Sequence, residues 1–147
     1  MDRLGDVSQQ PCVLCAESVS KDGRYVWEDR LWRLWTRTTG KVPGYSFLNS
    51  KRHIPYLTDL DGDEAATLGP VLARITRAIR AATGASLVYL HVFGDGAAHF
   101  HMHLVPHRPG DALNTQVFRE DAGNDASVAD LAGVADQLAR VLASKEA

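Results

Sequence analysis

Three strands, a long helix, two further strands and a terminal helix, in that order, predict an α+β fold with an antiparallel sheet of about five strands. Three observations carry this prediction. Aromatic and β-branched runs bounded by turn residues lie on both sides of one 3.6-period stretch. A second such stretch closes the chain. A strictly alternating histidine run marks the last strand.

At 147 residues the chain is long enough for one domain with a core of its own, over 1–147. A formal charge of −2 argues against binding nucleic acid through a broad basic surface. Residues 1–10 are expected to be flexible. The start Met1-Asp2-Arg3-Leu4-Gly5-Asp6 has no apolar secretory core, and no run approaches a membrane span. The expectation is a cytoplasmic protein with no membrane partner.

Arg24–Glu28 and Leu31–Thr36 read as two strands around Asp29-Arg30, by aromatic weighting more than by alternation. The Gly and Pro content of Thr38–Gly44 makes it a loop, and Tyr45–Asn49 is the third strand. Asp61, with Glu64 three residues on, offers a capping pair for the long helix. Leu68, Val71, Leu72, Ile75 and Ile79 give that helix one apolar face, and Gly84 can end it. Pro70 removes a backbone donor and is expected to distort the first turns. Arg74, Arg77 and Arg80 read as a solvated face. Leu87–Phe93 is the fourth strand and His99–Pro106 the fifth, joined by Gly94–Ala98. Residues 107–126 are polar and Gly-rich, hence irregular. Ser127 and Asp130 cap a C-terminal helix within 127–147, with Leu131, Val134, Leu138, Val141 and Leu142 as a packing or subunit-contact stripe.

The chemistry concentrates in His99-Phe100-His101-Met102-His103-Leu104-Val105-Pro106. Alternate side chains of a strand share a face, so His99, His101 and His103 line one side and Phe100, Met102 and Leu104 the other. One metal held by all three is awkward, since positions 99 and 103 are roughly 13 Å apart in an extended strand. Division of labour among the rings is the better reading. The two cysteines, Cys12 and Cys15, form a C-x-x-C pair. No strand pattern precedes them, as a thioredoxin-like unit would require, and such a pair is half of a tetrahedral zinc site. Zinc, a redox pair and two inert thiols are the readings on these residues alone.

The histidine run resembles the signature of the histidine triad (HIT) family. The upstream run Val42-Pro43-Gly44-Tyr45-Ser46-Phe47-Leu48-Asn49-Ser50-Lys51-Arg52-His53 is similar to the segment that accompanies it. The similarity extends from about Cys12 to Pro106. It implies the HIT-like fold, commonly as a homodimer, and structural zinc held by Cys12, Cys15, His53 and His99. It further implies attack on phosphorus by His101, the middle ring, through a covalent phosphohistidine carrying a nucleoside monophosphate. A hydrolase or a transferase results according to the acceptor. His103 then stands near the transferred group to donate to its oxygens or to help proton movement. The Gly94-Asp95-Gly96 turn can bring backbone donors to a phosphate. Arg37, Tyr45, Asn49 and His91 complete the expected substrate-binding set.

Four features depart from the family pattern. Tyr45 stands where many members have histidine, and Arg37 where many have an acidic residue on the ribose. Arginine cannot accept from ribose hydroxyls, so preference for ordinary adenosine nucleotides is expected to shift. The loop before the triad lacks the polar pair often found there, and Pro106-His107-Arg108 replaces a more usual Pro-Arg. Two rival classes remain. One is a noncatalytic nucleotide-binding or regulatory protein, which would never be covalently labelled. The other is a metalloenzyme using the triad for a catalytic metal, which would lose turnover on chelation.

Overall fold

A computed structural model describes residues 11–16, 21–109 and 127–144. Five strands form one antiparallel sheet: β1 (Gly23–Glu28), β2 (Trp32–Arg37), β3 (Ser46–Ser50), β4 (Leu87–His91) and β5 (His101–His107). Their spatial order is β1-β2-β3-β5-β4, which places the histidine strand beside β3, with β4 at the edge. Helix α1 (Gly62–Thr83) connects β3 to β4, and α2 (Val128–Ala143) closes the described chain. No helix among the described residues is long and apolar enough to cross a membrane.

The two faces of the sheet have different tasks. Trp32, Leu34, Leu48, Met102 and Leu104 point to the helices and pack with Ile75 and Ile79 of α1 and Leu138 and Leu142 of α2. On the opposite face the register aligns Trp35, Phe47, His103 and His91 as one row across four strands, and Asn49 with His101 beside it. Tyr45, Phe47 and Val105 form a second, smaller apolar cluster there with Trp35 and Tyr89. Burial of the helix-side core stabilises the sheet, at about 25 cal/mol per Å² of apolar surface, and fixes which histidines face outward.

Local differences from the sequence reading have physical causes. A register shift between Tyr25 and Trp27 explains the imperfect alternation of β1. Asp29 accepts from the backbone N–H groups of Leu31 and Trp32, both at 2.7 Å, and so closes the β1–β2 turn. Helix α1 runs unbroken through Pro70. Pro70 and Ala66, four residues back, are both exposed, so the carbonyl deprived of a donor faces water. Asp61 occupies the N-cap position without a side-chain cap bond. Its carboxylate and that of buried Glu64 instead take the Arg52 guanidinium, which ties the segment carrying His53 to the start of α1. Arg74 is no solvated side chain: it donates to the Leu142 carbonyl at 2.8 Å and lies over the Trp27 ring. Arg77 and Arg80 are exposed. The Ser127–Asp130 capping box forms as expected. Of the irregular stretch expected over 107–126, His107 ends β5, and residues 110–126 lie outside the described residues, as do 1–10 and 145–147.

Strand β4 ends at His91, not Phe93, and β5 begins at His101, not His99. Gly94, at φ +85°, turns the connection away. The backbone of Phe100 then bonds across to the segment after β3, donating to the Ile54 carbonyl at 2.6 Å and accepting from Ser50 at 3.4 Å. This crossing takes His99 out of the strand and toward Cys12 and Cys15.

Candidate functional site

The three histidines occupy three environments. His99 is fully buried, and its Nε2 lies 2.7 Å from the Ser50 carbonyl. A carbonyl only accepts, so Nε2 carries the proton and Nδ1 keeps its lone pair. That Nδ1 faces Cys12 Sγ at 3.3 Å and Cys15 Sγ at 3.4 Å, and His53 Nδ1 lies 3.2 Å from Cys15 Sγ. The cysteines sit in a turn closed by the Cys15 and Ala16 N–H groups on the Cys12 carbonyl, both at 3.1 Å. The four ligand atoms all lie within 4.8 Å of one another. A tetrahedral zinc site has sulfur–nitrogen edges of about 3.6 Å, from bond lengths of about 2.3 and 2.1 Å. Two thiols, two imidazoles and an outer carbonyl that fixes a ligand tautomer suit zinc in number and in chemistry. Burial, then the adjacent Cys12, pushes the Cys15 thiol up. A cation between the four atoms would act in the opposite sense by taking the thiolate.

His101 is held from the other side. Its Nδ1 lies 2.7 Å from the His99 carbonyl, so Nδ1 is the donor and Nε2 is the basic nitrogen. The ring lines a cavity of about 350 Å³ together with His103, Trp35, Phe47 and Phe93. Asp95, Gly96 and Ala97 of the β4–β5 connection form its rim, and Val13 and Leu14 a further wall. His101 and Phe93 also line a second cavity of about 250 Å³, bordered by Tyr56, Leu57 and Gly94.

His103 is wedged between aromatic rings, with centroids 4.6 Å from Phe47 and 5.1 Å from Phe93. Its Nδ1 meets the Tyr45 hydroxyl at 2.8 Å. Burial, with the adjacent His101 and the Arg37 guanidinium adding to it, lowers its pKa to about 4. At neutral pH His103 is therefore an uncharged hydrogen-bonding group. The unfolded value is about 6.5, so from there down to about 4 the unfolded chain binds a proton that the fold refuses. Stability is greatest above about pH 6.5 and falls toward pH 4, by at most about 3 kcal/mol from this group. Replacing His103 by Asn is expected to flatten the melting temperature between about pH 7 and 4.5. Parallel profiles for the two proteins would rule out this contribution.

Not every expected substrate-binding residue lines the larger cavity. Asp95 and Gly96 do, and Gly94 borders the smaller one. Arg37 lies over the Tyr45 and Phe47 rings, at 5.4 and 5.5 Å from their centroids, and lines neither of these two cavities. Tyr45 is buried against His103. Asn49 is buried next to His101 in the register and donates to the Ser50 carbonyl at 3.1 Å. His91 stacks on Phe93, and burial lowers its pKa. Sequence reasoning missed Trp35, Phe47, Phe93, Val13 and Leu14. Alternation against the buried Leu34 and Leu48 would have put Trp35 and Phe47 on the histidine face. The other three reach the cavity through tertiary contacts with no local signal.

An antiparallel sheet with two helices on one face and a histidine pair on the other, fed by a buried third histidine, defines a small protein of the histidine triad class. Residues 19–110 match the HIT domain, and the chain belongs to that family. An uncharacterised HIT-like protein of Mycobacterium tuberculosis is 28% identical over 127 residues, covering 80% of this chain and 88% of the relative. Among solved structures, a zinc-bound histidine triad family protein from Mycobacterium smegmatis aligns with a TM-score of 0.66 at 23% identity, over 88% of this chain and 94% of that one. A hypothetical histidine triad nucleotide-binding protein from Sulfolobus tokodaii aligns with a TM-score of 0.67 at 19% identity, over 89% and 91%. The diadenosine triphosphate hydrolase of Plasmodium falciparum aligns with a TM-score of 0.63 at 12% identity, over 88% and 82%.

Proposed function

We propose that this protein is a hydrolase or nucleotidyl transferase acting at the phosphorus of a nucleoside phosphate ester, anhydride or phosphoramidate, with His101 as nucleophile. The observation that carries the reading is the 2.7 Å bond from His101 Nδ1 to the His99 carbonyl. It leaves Nε2 as the basic nitrogen on a ring that lines the cavity. In the first step the Nε2 lone pair forms a bond to phosphorus. The bond from phosphorus to the leaving group breaks, and that group departs with the electron pair and takes up a proton. In the second step water or another acceptor attacks phosphorus and gives up its proton to solvent, the P–N bond breaks, and its electrons return to Nε2. In this reading His103 hydrogen-bonds the transferred group, a role supported by its uncharged state and its ring centroid 5.4 Å from that of His101.

Zinc belongs to this proposal as a structural ion held by Cys12, Cys15, His53 and His99, which when bound fixes the His99 side of the site. The homodimer that the family suggests also belongs to it. Edge strand β4, with exposed Leu87 and Leu90, supports that assembly, and sedimentation at micromolar concentration tests it. The function is tested by screening nucleoside phosphoramidates, nucleoside adenylates and dinucleoside polyphosphates against wild type and a His101 variant. Turnover of one class by wild type alone supports the proposal. Ligand binding without turnover of any class would favour the noncatalytic reading.

A further inference from the structure

Helix α1 buries a carboxylate that lines neither cavity. Glu64 stands in its first turn and, among the described residues, is the one acidic side chain that is buried. An ionised carboxylate out of water is costly unless a cation and hydrogen bonds meet it. Both come from Arg52, whose Nε reaches Glu64 Oε1 and whose Nη2 reaches Oε2, each at 3.1 Å. A fork of this kind fixes the plane and direction of a guanidinium, which a single point contact does not. Asp61, at the N-cap of the same helix, takes Nη2 as well. Arg52 is thereby clamped onto α1 although half of its side chain is exposed.

Arg52 immediately precedes His53, and the two histidines of the metal cluster are held by different means. The Ser50 carbonyl receives His99 Nε2 and sets that ring directly. His53 is exposed, and among the described residues the hydrogen-bonding partner of its ring is the Cys15 sulfur alone. Residues 52–55 form neither strand nor helix, so the aim of the His53 ring depends on where their backbone is fixed. Ser50 Oγ donates to the Arg52 carbonyl at 2.8 Å, and the Phe100 N–H to the Ile54 carbonyl at 2.6 Å. These bonds tie the segment to the end of β3 and the start of β5. The Arg52 side chain supplies its tie to α1.

We propose that Glu64 is a positioning residue of the metal centre, acting through Arg52 to hold His53 against Cys15. This rests on the zinc site put forward above. Glu64 is not among the four ligands. It sets how much of the ligand geometry exists before the ion arrives, and a ligand already in place loses less freedom on binding.

The test is a cycle of zinc affinities for wild type, Glu64→Gln, His53→Ala and the protein carrying both changes. They are measured by competition with a chromophoric chelator, on proteins whose circular dichroism matches wild type. Gln keeps the size and hydrogen-bonding capacity of the side chain at position 64 and removes its charge. Affinity is expected to fall about 10-fold on Glu64→Gln, the low end of what partners behind metal ligands contribute. With His53 already replaced, the same change is expected to alter affinity by no more than about 2-fold, as for independent sites. A carboxylate that served folding alone would lower the melting temperature and leave zinc affinity unchanged, or lower affinity equally in both backgrounds. Either result would overturn the proposal. If Glu64→Gln does not fold, Arg52→Lys takes its place in the cycle and is read in the same way. Lysine keeps the charge but cannot form the fork. Absence of zinc binding by wild type would remove the metal site itself, a failure distinct from unaltered affinity in the variant.

Discussion

The His101→Asn protein is expected to fold like the wild type and to turn substrate over slower by about 10,000-fold or more, the order seen when an essential nucleophile is removed. The direction follows from the division of contacts around the ring. The Nδ1 side is committed to the His99 carbonyl at 2.7 Å, a bond that an Asn amide can imitate. The Nε2 side has no counterpart in Asn, because an amide nitrogen carries no nucleophilic lone pair. Neighbouring Phe100 and Met102 are buried in the helix-side core and hold the strand independently of this substitution. A melting temperature close to that of wild type is therefore part of the expectation. Wild type quenched during turnover should show a mass increase on the peptide containing His101, and the variant none. In a noncatalytic nucleotide binder neither protein is labelled and both retain ligand. Full activity of the variant would end the phosphohistidine reading.

The strands and both helix faces were legible because each rests on local periodicity: alternation around Leu48 and Leu104, and the 3–4 spacing through Ile75 and Ile79; the spatial order of the strands, which depends on long-range pairing, was not. The grouping of Cys12, Cys15, His53 and His99 came from the family resemblance, since the C-x-x-C pair by itself left zinc, a redox pair and inert thiols open, and the structure brings those four side chains together. The exact start of β5 was not. Alternation alone puts His99 in the strand, whereas its backbone neighbourhood is decided by Phe100 bonding to Ile54, a contact no window of sequence contains. The same limit applies to Arg37. Counting along the chain sets it at the position where many family members carry a ribose-binding acid, but that count contains nothing of its place over the Tyr45 and Phe47 rings, which the β2–β3 pairing brings beneath it. Tyr45 departs from the family pattern, and no local signal in the sequence shows what its hydroxyl meets. Its hydroxyl meets His103 Nδ1, so it bears on the state of the third histidine and not directly on the cavity wall.

Replacing Cys15 by Ser is expected to lower zinc from about one ion per chain to a small fraction, and to lower the melting temperature by roughly 10 °C. Cys15 meets both histidines of the cluster, with its sulfur 3.2 Å from His53 Nδ1 and 3.4 Å from His99 Nδ1. A serine hydroxyl does not ionise near neutral pH and is a poor zinc ligand, so three donors remain where four are needed. An ion that binds only the folded chain stabilises it by about 2.7 kcal/mol at 100 times its dissociation constant. For a protein of this size that corresponds to roughly 4 °C per kcal/mol. The loss has a structural route as well. Without the ion, the turn at Cys12 and the segment at His53 lose their common anchor, and His99 is left buried with Nδ1 facing thiols. Chelating wild type should reproduce the variant's melting temperature, and chelating the variant should change it little. That pairing separates loss of metal from loss of a packed side chain. Wild-type protein purified without chelators that contains no zinc would refute the site, whatever the variant's stability.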